Sequence, residues 1–76
     1  MPGRREMPRP LLADLLGRLS TALAAGIDLR KAWHSEIGRV PARWRPRMEL
    51  VARALDQGTP LAESLAAAGD TFPPLV

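Results

Sequence analysis

LAAGIDLRKA at residues 23–32 and LDQGTPLAES at residues 55–64 share one frame: Leu, two residues, Gly, two residues, Leu, two residues, then Ala or Ser. Gly26 answers to Gly58, Leu29 to Leu61 and Ala32 to Ser64. Each stretch follows a run of apolar residues at three- and four-residue steps, the signature of a helix with one apolar face. A glycine just past such a run ends the helix, because it takes the left-handed conformation that closes the last turn. The leucine three residues on then anchors the next helix. Both frames therefore read as helix–turn–helix junctions.

Working outward, Leu12, Leu15, Leu16, Leu19 and Leu23 form one stripe on a first helix that Pro10 opens. Asp28 is placed to cap a second helix by accepting from its first N–H groups. That helix turns Leu29, Ala32, Trp33 and Ile37 to one side, with Arg30, Lys31, Ser35 and Glu36 pointing elsewhere. GRVPARWRP at 38–46 interrupts the pattern with Gly38, Pro41 and Pro46. A third helix starts between 42 and 46, with Trp44, Met48, Val51 and Leu55 on one face. Thr59 is the expected cap of a fourth, Pro60 its first residue, and Leu61, Leu65 and Ala68 its inner side. Gly69 ends it, and DTFPPLV at 70–76 reads as a third turn whose prolines open another helix. No stretch alternates with period two. The fold class is all-α, with short antiparallel helices of about 16, 11, 13 and 9 residues by this pattern. Residues 1–9 have no apolar period and read as a flexible basic tail.

The chain has 76 residues and no cysteine. A core of this size rarely contributes more than about 3–5 kcal/mol by itself. Self-association, or membership of a larger domain, is the expected remedy. No apolar run approaches the ~20 residues a bilayer span needs. The N-terminal LLADLLGRLSTALAAG resembles a secretory leader only superficially, since Asp14 and Arg18 interrupt it.

The net charge of +3 is unevenly placed. Residues 39–53 hold five arginines and one acid, whereas residues 54–76 hold three acids and no base. Arg39, Arg43, Arg45, Arg47 and Arg53 surround Trp44, and arginines around an aromatic can bind phosphates and stack on bases. The Trp44–Met48–Val51–Leu55 spacing argues instead that Trp44 turns inward, with the arginines forming a solvated face or meeting an acidic partner. Chemistry has few candidates. His34 is the only histidine, and Ser35 beside it cannot face it on a helix. The acids are scattered singly, the glycines end helices rather than cradle phosphates, and no metal-ligand spacing occurs. Neither a catalytic site nor a cofactor is expected.

Taken in order, LADLLGRLSTALAAGIDLRKAW, then VARALDQGTPLAESLAAAGDTFPPLV, resembles the cytoplasmic domain of the type II secretion system F family. These are inner-membrane platform proteins of type II secretion and type IV pilus machines. The resemblance covers roughly residues 11–76 and rests on Gly26 and Leu29 of the first turn, Gly58 and Leu61 of the second, and Phe72, Pro73 and Pro74 of the third. Residues 38–47 match little. It implies a bundle of about six helices, of which residues 10–76 would hold about four as a partial domain, with transmembrane helices further along the whole protein. It also implies a non-enzymatic scaffold on the cytoplasmic side of the bacterial inner membrane. Its partners would be the secretion ATPase, other inner-membrane secretion components and further copies of itself. The alternative is a small basic helical module that binds nucleic acid through Arg39–Arg53.

Overall fold

Helices occupy the segments between the turn-forming glycines and prolines. The computed structural model describes residues 6–72. Helix α1 spans Arg9–Ala24, α2 Leu29–Ile37, α3 Arg45–Asp56 and α4 Leu61–Ala66. Short 3-10 turns at Ala42–Trp44 and Gly69–Thr71 precede α3 and follow α4. No strand occurs among the described residues, so the fold is all-α. Helix α2 packs between α1 and α3, and α4 lies on α3.

The two repeated frames fold alike. Gly26 has φ 86° and Gly58 φ 90°. The N–H of Ile27 bonds to the carbonyl of Ala22, and that of Thr59 to Ala54, each at 3.0 Å. The glycine N–H groups reach Leu23 and Leu55 at 3.0 and 2.9 Å. Each turn thus satisfies the last carbonyls of the helix before it with the same pair of bonds. Leu29 and Leu61 are the first residues of α2 and α4. The entries differ in their caps. The Asp28 carboxylate accepts from the N–H groups of Arg30 and Lys31, at 3.0 and 3.4 Å. Thr59 does not cap α4: Pro60 occupies the cap position, with no side-chain bond. Instead the Ser64 hydroxyl donates back to the Thr59 carbonyl at 3.1 Å. With only that support α4 closes after six residues, shorter than its apolar pattern suggests, and α2 has nine.

The core joins Leu15 and Leu19 of α1, Ala32 and Trp33 of α2, Met48, Val51, Ala52 and Leu55 of α3, and Leu65 of α4. Val40, Trp44, Ala68 and Phe72 fill the ends. The Trp33 indole N–H donates to the Met48 carbonyl at 2.9 Å, and its ring meets Phe72 edge-on at 5.8 Å. Three expectations are corrected. The α1 stripe is narrower than its leucines suggest: Leu16 and Leu23 remain 42% and 45% exposed, because among the described residues α2 is the one helix that packs closely on α1. Glu36 is buried rather than outward, because Arg18 of α1 reaches it at 2.7 Å. Residues 7–9 do not belong to a loose tail. Met7 is buried, its N–H donates to the Thr71 carbonyl at 2.8 Å, and α1 begins at Arg9 with Pro10 second. Residues 1–5 of that segment lie outside the described residues.

Candidate functional site

The basic segment lies at the start of α3 and along its outer side. Arg39 stands apart from the rest, 3.8 Å from Glu36. Arg43, Arg45 and Arg53 are exposed and Arg47 is half-buried. None of these last four forms an ion pair among the described residues. Trp44 turns inward, as its spacing with Met48 predicts, and is 5% exposed. The guanidinium carbons of Arg43 and Arg47 lie 5.5 and 5.1 Å from its ring centroid. Trp44 is therefore covered by arginine and core atoms and is not presented for a base to stack on. The five arginines do not make one site: Arg39 reaches back to Glu36 at the end of α2, while Arg43, Arg45 and Arg47 share the α3 start.

The turn residues act as spacers. Gly26, Leu29, Gly58 and Leu61 make the two junctions described above, and Phe72 docks on Trp33. Pro73 and Pro74, which the sequence pattern has opening a further helix, lie outside the described residues.

Two contacts between helices were not legible from spacing. Arg18 and Glu36 lock α1 to α2, and His34 of α2 approaches Asp56 of α3, Nε2 to Oδ2, at 3.2 Å. His34 is exposed and shares an open cleft of about 440 Å³ with Glu49, Arg53 and Asp56. An open groove of about 710 Å³ runs between α1 and α2 over Ala13, Gly17, Thr21 and Ser35, with Asp14, Arg18, Glu36 and Arg39 at its edges. Among the described residues no group of three His, Asp or Glu side chains is placed to hold a metal. No helix there is long and apolar enough to cross a membrane.

One titration is shifted. Loss of water pushes the Asp28 carboxyl up, but the Lys31 and Arg30 N–H groups and the Arg30 guanidinium outweigh that and hold it below its usual value. The cap of α2 is thus a carboxylate throughout the neutral range. No protein-family model matches the chain, and no curated protein or solved structure matches it at a significant level.

Proposed function

We propose that the chain is a non-enzymatic scaffold domain of a bacterial secretion or pilus-assembly platform, of the type II secretion F kind. It works on the cytoplasmic side of the inner membrane and binds protein partners, the secretion ATPase among them, and further copies of itself. The observation that carries this reading is the matched pair of Gly-x-x-Leu junctions, followed at the family's distance by Phe72 and the two prolines. Their support from the fold is that Gly26 and Gly58 take the same left-handed turn and that Leu29 and Leu61 each open a helix. In such a domain glycines set turns, leucines fill the bundle, and function resides on outer helix faces.

The test is direct binding of the purified chain to the cytoplasmic ATPase of the same cell's secretion system, followed by calorimetry. Saturable binding that the Arg43→Glu, Arg47→Glu double variant weakens is the expected result.

A second reading has one observation in its favour, the four arginines without an acidic partner. As a nucleic-acid module, the chain would lose affinity for duplex DNA by roughly 0.9 log units per phosphate contact for each log unit of salt. Such a slope, together with no response to the ATPase, would sink the scaffold reading. The buried position of Trp44 weighs against this alternative, because it removes the aromatic platform.

A further inference from the structure

Trp44 ends the 3-10 turn at 42–44 and is the residue from which α3 departs, so its indole stands at the start of a 12-residue helix. That start has no side-chain cap and no acidic residue in its first turn. It carries Arg45 and Arg47 instead, with Arg43 just ahead of Trp44. The Trp44 and Arg45 N–H groups are already bonded to the Pro41 and Ala42 carbonyls and Pro46 has none, so it is charge, not free backbone donors, that favours an anion at this end of the helix.

A second observation concerns the indole itself. Trp44 is 5% exposed, and its Nε1 has no acceptor among the described residues. Folded proteins rarely leave such a donor unmatched. The ring that bears it is the one that the Arg43 and Arg47 guanidiniums approach, at 5.5 and 5.1 Å. Cation–π contact keeps both close to it. The two guanidiniums and the indole N–H all donate, and no acid pairs with these arginines among the described residues.

We infer that Arg43, Trp44 and Arg47 form an oxyanion site that takes a phosphate group. A carboxylate brings one charge and two oxygens. A phosphate brings up to two charges and enough oxygens for both guanidinium forks and the indole N–H together. The N–H is shielded from solvent, so the site closes around its ligand as the arginines swing from the ring onto the phosphate oxygens. Arg43 is exposed and free to make that move, and exposed Arg45 adds charge at the rim. The phosphate can come from the free ion or from a phospholipid headgroup. Leu50, 42% exposed and one turn beyond Arg47, would enter a lipid surface but adds nothing for a free ion.

The experiment uses the two indole N–H resonances of the isotope-labelled full chain. Trp33 is bonded to the Met48 carbonyl and serves as the internal reference. The titrants are inorganic phosphate at constant ionic strength, vesicles of phosphatidylglycerol and vesicles of phosphatidylcholine. The Trp44 resonance is expected to move saturably with phosphate or with phosphatidylglycerol while that of Trp33 stays. The Arg43→Gln, Arg47→Gln double variant, folded by the criterion of an unmoved Trp33 resonance, is expected to bind about tenfold more weakly or worse. A response to both titrants, with Leu50→Ala weakening only the vesicle arm, identifies the lipid source, and a response to phosphate alone identifies the free ion. The inference is overturned if Trp44 is silent to both, if both indoles shift alike, or if the double variant binds as the parent does. Binding to duplex DNA with no response to either phosphate source also overturns it.

Discussion

Gly26 and Gly58 show how much one residue can settle. Both sit at φ near 90°, yet a β-carbon on either would meet no atom within 4 Å. The cost of a side chain there is conformational alone, and Gly26→Ala or Gly58→Ala should destabilise the fold by about 1–2 kcal/mol, read by urea unfolding with tryptophan fluorescence. Gly17 is the contrast. It lies inside α1 with open space around it, so Gly17→Ala should stabilise by about 1 kcal/mol in the same assay. Unchanged midpoints for all three would contradict the turn assignment. Asp28 gives a pH signature. Its carboxyl is held below its usual value in the fold, so its contribution is present above the ordinary carboxylate range and is lost as pH falls through the depressed value. The stability gap between the parent and Asp28→Ala should therefore be open at neutral pH and close in strong acid. A gap that widens on acidification would refute the capping role.

At the scale of elements, the sequence read the junctions better than the faces. Glycine and proline act through their own backbone, so Gly26 and Gly58 could be placed without knowing any neighbour. Which side of α1 is covered depends on partners that local spacing does not encode. Leu16 and Leu23 precede Met48 and Leu55 by the offset that relates the two turns. Met48 and Leu55 are buried, on a helix with α2 on one side and α4 on another, whereas among the described residues α1 packs closely on α2 alone. Between Leu16 and Ile27 the one charged residue is Arg18, which is occupied by Glu36. That face is the natural seat of the self-association proposed above. In sedimentation runs across concentration, the parent should associate and the Leu16→Glu, Leu23→Glu variant should not. A parent that stays monomeric throughout removes homo-oligomerisation from the proposal. The Arg18–Glu36 and His34–Asp56 pairs escaped the sequence for the same reason, being 18 and 22 residues apart and joined only by packing. The buried indole of Trp44 was legible; its missing acceptor was not, because satisfaction of an N–H depends on the whole surrounding shell.

Across the whole molecule, the chain makes a line of helices and then ties its first described residues to its last. Met7 is 3% exposed, and the bond from its N–H to Thr71 joins the segment before α1 to the turn after α4. Met7→Ala should cost about 2 kcal/mol or more, measured by thermal unfolding, where a free tail would give no change. Mechanically, this makes the single backbone bond between Met7 and Thr71 the first contact to bear load. A pull transmitted through the flanking chain would break that one bond and draw Met7 out of the core before it reached Trp33, Met48 and the packed centre. Because Met7 and Thr71 adjoin, the segment between them could be spliced into a surface loop of a host protein without stretching either.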